Sequence, residues 1–194
     1  MLQLKQSSQG YYEIKGSKFL SFLLPSDEFE STLTSLKAQH PKAVHFVSAS
    51  RILKEQIIES FSDDGEPKGS SGVPTLNVLR GEELINVAGI TVRYFGGTLL
   101  GVGGLVRAYT QAIQNAIENA KAQNLLIAYE KKIEWEIEIS YSLLNQILYL
   151  AQKAQVNVIN REFLNHGVKI SLSSNLASKE EFENLCASEA ILLC

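Results

Sequence analysis

The sequence predicts an α+β protein of two domains, residues 1–125 and 126–194. Three observations carry this prediction. Strand-like and helical apolar patterns alternate through the first domain. The composition changes near residues 122–129. Beyond that point, short elements follow in the order strand, helix, strand, strand, helix, which is typical of an open-faced, ferredoxin-like sandwich.

The first half of domain one is predicted to form a hairpin, a helix and a further strand. Residues 11–24 form two extended runs around Gly16–Ser17, which predicts two strands joined by a turn. Pro25 ends the second run, and Ser26 is expected to cap a helix that stops at His40–Pro41. Residues 43–53 then alternate well enough to predict a strand.

The second half of this domain is organised around two glycine-containing segments. After Ile58, residues 60–74 have the composition of a loop. Residues 75–80 fit either a strand or the start of a helix. Residues 84–95 predict a buried strand that runs into the glycines of residues 96–104. Residues 105–123 then show one apolar stripe and give the clearest helix of the chain.

Domain two begins with strict alternation in residues 132–141, which predicts a half-buried strand. We expect a helix over residues 142–155, strands over 156–164 and 168–175, and a short helix over 178–187. This leaves only residues 191–194 for a last strand.

Composition limits the classes of function. The chain has 194 residues, of which 45% are hydrophobic, and a net charge of -3. A typical nucleic-acid-binding domain is basic, so any contact with nucleic acid must depend on a local cluster of Lys and Arg. The sequence contains no apolar run of membrane-spanning length and no signal-peptide pattern, and its two cysteines are too few for a disulfide framework. We therefore expect a cytoplasmic protein without a membrane partner.

An acidic segment forms the first candidate site. Asp63, Asp64 and Glu66 place three carboxylates within four residues, and clusters of oxygen ligands suit hard cations such as magnesium. The alternative, which we favour, is a surface turn in which the Asp side chains accept hydrogen bonds from nearby backbone N–H groups.

The glycine-rich segment forms the second candidate site. Its glycines stand between a strand and a helix, where exposed N–H groups can bind an anion such as phosphate. The spacing matches neither a Walker loop nor a dinucleotide fingerprint. The alternative is a tight connection in which small residues let two backbones pack closely. The candidate phosphate-binding glycines are Gly96, Gly97, Gly101, Gly103 and Gly104.

Basic residues near these segments complete the candidates. Lys68, Arg93 and Arg107 are placed to contact phosphates, and Arg107 lies opposite the apolar stripe of its helix. A buried Arg93 would need a partner, so an ion pair with an acidic residue of 63–66 is an equal alternative. His45 is a weaker candidate, because a histidine within a strand is more often a core residue than a catalyst. No spacing indicates a nucleophile elbow or a zinc site.

The two segments together resemble the signature of the IMPACT/YigZ family. The residues are DDGEPKGSSG, followed by VRYFGGTLLGVGGLVRAY, with weaker matches at Ser17–Phe19 and Ala43–His45. The resemblance implies a two-layer N-terminal α/β domain, similar to ribosomal proteins and to domain IV of elongation factor G. It also implies a C-terminal domain similar to domain V of that factor. For bacterial members it implies a role near the ribosome or RNA.

Three functional hypotheses follow. We favour a protein that binds RNA, the ribosome or protein partners of the translation machinery and regulates translation, with no cofactor. The second is a metal-dependent enzyme acting on a phosphate-containing substrate, with His45 transferring a proton and a divalent metal on the acidic residues. The third is a protein-interaction module in which the motif serves the fold alone.

Overall fold

The computed structural model describes residues 1–189 and Ile191, and it divides into two compact units. The first is Met1–Tyr129 and the second begins at Glu130. The boundary lies four residues beyond the predicted one, because strand β1 (Leu2–Leu4) pairs with strand β7 (Leu126–Ala128). This pairing holds residues 126–128 in the first unit. The α+β class is confirmed.

A five-stranded antiparallel sheet forms the centre of the first unit. Its strands are β2 (Ser8–Ile14), β3 (Ser17–Pro25), β4 (His45–Leu53), β5 (Ile57–Ser62) and β6 (Val87–Tyr94). Their order across the sheet is β2-β3-β6-β4-β5. Strand β6 is central and carries an almost unbroken run of buried residues, which is why its sequence is the most apolar of the five.

Helices cover both faces of this sheet. Helices α2 (Gly72–Gly81) and α3 (Gly101–Ala122) pack on one face, and α1 (Phe29–Gln39) packs on the other. Side chains of β6 point alternately to the two faces of the sheet. Val87 and Arg93 face α2 and α3, whereas Ile90 and Val92 face α1. Gly10 lets β2 lie directly against α3, since a Cβ there would overlap the backbone of Ala116.

Three local predictions needed correction or completion. Ser26 does not cap α1, because residues Ser26–Glu28 form a 3-10 turn before the helix and make no side-chain cap. Residues up to Ser62 belong to strand β5 and not to a loop. This edge strand is largely exposed, so it lacks the burial pattern that predicts strands. The ambiguous residues 75–80 are helical, within α2.

The second unit has the predicted order of elements. Strand β8 (Ile133–Ile139), helix α4 (Leu144–Lys153), strands β9 (Asn157–Phe163) and β10 (Val168–Ser174) and helix α5 (Leu176–Ser188) follow one another. The sheet order is β8-β10-β9, antiparallel throughout, as in a ferredoxin-like fold. The predicted last strand falls outside the described residues, except for Ile191, which packs in this core.

None of the helices in the described part of the chain is long and apolar enough to cross a membrane.

Candidate functional site

A buried glutamate forms the centre of the candidate site. Glu66 Oε1 accepts a hydrogen bond from Arg93 Nη1 at 2.5 Å and another from the Tyr109 hydroxyl at 2.6 Å. Burial, together with this bond to a carboxylate, raises the pKa of Tyr109 well above its ordinary range. The acidic segment, strand β6 and helix α3 therefore meet at one carboxylate. Of the three acidic residues considered as partners of Arg93, the structure selects Glu66.

Arg93 is held between two aromatic rings. Its guanidinium carbon lies 5.5 Å from the centroid of Phe19 and 5.8 Å from that of Phe95, which is within cation–π range. Phe19 stands directly opposite Arg93 on the neighbouring strand β3. The buried Arg93 Nε donates to no atom of the described residues. Stacking and the Glu66 pair thus replace part of the hydration that this charge loses on burial.

His45 lies beside the same carboxylate, at the first residue of strand β4 and not in the middle of a core strand. Its Nδ1 lies 2.7 Å from the carbonyl oxygen of Asp64, and its Nε2 lies 3.9 Å from Glu66 Oε2. A carbonyl oxygen only accepts, so Nδ1 carries the proton. When the ring carries this proton alone, Nε2 is an acceptor, and His45 lines an open cleft.

Asp63 has a structural role. Its carboxylate accepts hydrogen bonds from the N–H groups of Gly69, Ser71 and Gly72 and from the Ser71 hydroxyl. Burial opposes ionisation, but these bonds outweigh it, so the pKa of Asp63 lies below its ordinary value. Because Gly72 is the first residue of α2, the carboxylate also occupies the positive end of that helix.

Asp64 is also engaged by the fold. Its Oδ2 accepts a hydrogen bond from the Phe46 N–H at 2.5 Å, and its backbone adopts a φ of 44°. Asp63, Asp64 and Glu66 thus direct their carboxylates to three different sets of donors. No group of three metal-ligating side chains comes together in the described part of the chain. The donor set therefore does not fit the divalent metal that was considered as the less favoured alternative for this segment.

The glycine-rich loop is shorter than predicted. Helix α3 starts at Gly101, so Gly101, Gly103 and Gly104 belong to its first turn, and only Gly96 and Gly97 lie in the loop. The Gly96 N–H donates to Ser17 Oγ at 3.1 Å, and a Cβ on Gly96 would overlap the backbone of Gly16. Gly96 therefore joins the loop to the β2–β3 turn, which was the alternative role considered for it.

The start of α3 remains open. Its N-cap residue, Leu100, provides no capping side chain, and no acidic residue lies in its first turn. Arg107 is exposed, and its Nη1 lies 4.0 Å from the position of a Cβ on Gly103. The guanidinium thus extends back along the helix toward its N-terminus, as long helical side chains do. The charge of Arg107 thus adds to the partial positive charge of the helix start.

A cleft of about 460 Å³ opens beside this helix start. Its polar floor is formed by His45, Glu66 and Arg93. Its rim carries four side chains that are both apolar and exposed, and Leu99 is 84% accessible. Clustered exposed apolar residues of this kind indicate binding. The rim residues are Val44, Phe95, Leu99 and Val102.

The structure separates the predicted site residues into groups. Arg93, Glu66, His45 and Gly101 line the cleft, whereas Lys68 is exposed but is not among the lining residues. Sequence reasoning missed two kinds of residue. Tyr109 was assigned to the apolar stripe, although a buried hydroxyl requires a partner. Phe95 and Leu99 stand among glycines in a segment whose composition otherwise indicates a solvated turn.

Comparison with known proteins identifies the family of this chain. The model of the Impact N-terminal domain matches residues 15–117. An IMPACT family member from Haemophilus influenzae is 36% identical over 159 residues, which cover 78% of this chain and 74% of that protein. The IMPACT family member YigZ of Escherichia coli is 33% identical over 158 residues, with 78% and 74% covered.

A crystal structure of a hypothetical protein has the same fold. It is 29% identical in sequence, has a TM-score of 0.77, and the alignment covers 100% of this chain and 94% of that one. This chain therefore belongs to the IMPACT family.

Proposed function

We propose that this protein binds RNA and acts in the control of translation. Family membership supports the link with translation, because the family signature implies a role near the ribosome or RNA for bacterial members. The chemistry of one surface of the first unit supports the contact with RNA. Under this proposal the protein works in the cytoplasm, and its partners are RNA, the ribosome or proteins of the translation machinery.

The observation that carries the proposal is the open N-terminus of α3 with Arg107 extended toward it. A helix of 22 residues concentrates unpaired N–H groups and a partial positive charge at its start. Helix N-termini favour phosphate groups, and an arginine adds a charge-assisted hydrogen bond. Contacts of this kind position a protein on a nucleic-acid backbone without reading its sequence.

The overall charge sets the expected strength of binding. A net charge of -3 gives no long-range attraction to a polyanion, so the affinity must come from a few local contacts. We expect micromolar binding to single-stranded RNA with a shallow salt slope, since each phosphate contact adds roughly 0.7 to that slope for single strands.

The test is a titration of fluorescent single-stranded RNA at several salt concentrations, with the wild type and Arg107→Ala. Arg107 is exposed, so its removal should leave folding intact, which circular dichroism checks. We expect about tenfold weaker binding and a salt slope lower by roughly 0.7, the contribution of one phosphate contact on a single strand. Arg161→Ala is the matched control, because Arg161 is an exposed arginine of the second unit. Equal losses for both variants, or none for Arg107→Ala, would refute the phosphate contact.

The link with translation needs a separate test. Purified bacterial ribosomes should carry the wild-type protein through a sucrose cushion at low salt and retain less of Arg107→Ala. Sedimentation of both proteins to the same extent would assign ribosome association to another surface. No sedimentation of either would contradict the proposed association with the ribosome.

A further inference from the structure

Two hydrogen-bond acceptors lie side by side on the floor of the cleft. Glu66 Oε1 is occupied by Arg93 and Tyr109, whereas Oε2 accepts no hydrogen bond from any residue in the described ranges. His45 Nε2 lies 3.9 Å from this oxygen, which is too far for a direct hydrogen bond. The Asp64 carbonyl holds a proton on Nδ1 of His45, so the imidazole that carries this one proton also presents an acceptor, at Nε2.

This pair is open to donors from outside the chain. Only 3% of the Glu66 side chain is accessible, so donors from outside the chain reach Oε2 through the cleft that Glu66 lines. Water can supply donors in the free protein and leave when a ligand supplies better ones. The floor therefore suits a ligand edge with two neighbouring donors and no acceptor between them.

The walls of the cleft suit a flat ring. Phe95 is 47% accessible, and one face of its ring packs against the Arg93 guanidinium. Leu99 and Val102 add apolar surface that is fixed at the start of α3. A volume of about 460 Å³ accommodates one planar heterocycle with its sugar. Bases of single-stranded RNA bind in this way, stacked on aromatic side chains with their edges hydrogen-bonded.

We propose that the cleft binds one unpaired guanine base, a proposal that rests on the RNA-binding function above. Guanine alone among the four RNA bases places two adjacent N–H donors, N1–H and N2–H, on its Watson–Crick edge. Adenine and cytosine place a ring acceptor next to their amino group, and uracil places one N–H between two carbonyl oxygens. N1–H donates to Glu66 Oε2 and N2–H to His45 Nε2. Gly101 borders the cleft, so the phosphate of the same nucleotide reaches the start of α3.

The first experiment changes the ligand and leaves the protein intact. Short oligouridines with one central guanosine, adenosine, inosine or 1-methylguanosine are titrated against the wild type. We expect the guanosine oligomer to bind about tenfold more tightly than the adenosine oligomer, as for a well-formed pair of base contacts. Inosine lacks the N2 amino group and should lose part of this gain, and 1-methylguanosine should lose it all.

The second experiment tests the stacking wall. Phe95→Ala should abolish the preference for guanosine, while Phe61→Ala should preserve it. Phe61 is the matched control because its exposure of 52% is similar to that of Phe95, and it lies on edge strand β5 and does not line the cleft. A preference for guanosine that survives Phe95→Ala would overturn the proposed stacking and with it the assignment of the cleft.

The outcomes distinguish the two proposals. Equal affinity for all four oligomers would overturn the guanine pocket and leave RNA binding in place. If no oligomer binds, the proposed function fails. A titration with free guanosine and adenosine monophosphates, followed by NMR, then tests separately whether the cleft binds guanine. Binding of the guanosine nucleotide alone, with shifts at Phe95 and Leu99, would support the pocket. Binding of neither, or of both equally, would overturn it.

Discussion

The Tyr109 hydroxyl donates a hydrogen bond of 2.6 Å to Glu66 Oε1, across 43 residues of sequence. This bond joins the acidic segment to the long helix α3 at a point where water cannot replace it. Since Arg93 donates to the same oxygen, three parts of the chain depend on one carboxylate. The bond also determines which oxygen of Glu66 faces the cleft.

Tyr109→Phe should lower the free energy of unfolding by about 2 kcal/mol, because a buried charged acceptor loses a donor while the ring remains. Urea denaturation followed by circular dichroism measures the change. Tyr149→Phe is the control, since Tyr149 is 63% accessible on α4, and we expect no measurable effect. Equal stability of Tyr109→Phe and the wild type would show that the Glu66 bond contributes little.

Asp63→Ala should destabilise the first unit by about 2 kcal/mol, because the start of α2 loses its cap. The folded-state pKa of Asp63 is lowered, so its contribution is complete above its unfolded-state pKa and is lost as the pH falls below it. Thermal unfolding at pH 7 compares this variant with Asp27→Ala, which changes an exposed aspartate in the 3-10 turn. If the two variants have the same melting temperature, the carboxylate of Asp63 is not a significant cap.

Gly96→Ala should unfold the first unit or destabilise it by about 3 kcal/mol, because the new Cβ overlaps the backbone of Gly16 and Ser17. Gly103→Ala provides the opposite case within the same motif. Gly103 is helical and its Cβ position is open, so alanine should stabilise α3 by about 0.5 kcal/mol. The melting temperatures of the two variants test both directions. A stable Gly96→Ala protein would show that the loop does not rest on the β2–β3 turn.

Glu59 connects strand β5 to its neighbours through Arg80 and Arg51. The hydrogen bonds from Arg80 first, and then from Arg51, lower the pKa of Glu59 from 4.5 to about 2 against the effect of burial. Its stabilisation is therefore complete above about pH 5 and is lost between pH 4.5 and 2.

Glu59→Gln should therefore cost about 1 kcal/mol at pH 7 and much less at pH 2. Urea unfolding of wild type and variant at both pH values gives the two differences. A difference that does not depend on pH would mean that the carboxylate acts through packing and not through its charge.

Local patterns were enough to predict most of the fold. Strand β6 and helix α3 have long, regular apolar patterns, and the alternation of Ile133, Trp135, Ile137 and Ile139 predicts β8 correctly. Strand β5 was missed because an edge strand buries few residues and shows no clear alternation. The start of α3 was placed four residues late because glycine has poor helix propensity, although helix packing overrides it here.

The sequence by itself determined the α+β class, the order of elements and the family, since these depend on periodicity and on motifs that are continuous along the chain. Only the tertiary structure decided which acidic residue pairs with Arg93, which proton position His45 adopts and which oxygen of Glu66 faces the cleft. These relationships join β4, the acidic segment, β6 and α3. Contacts between distant segments depend on distances of a few ångströms, and no local pattern of residues encodes such distances.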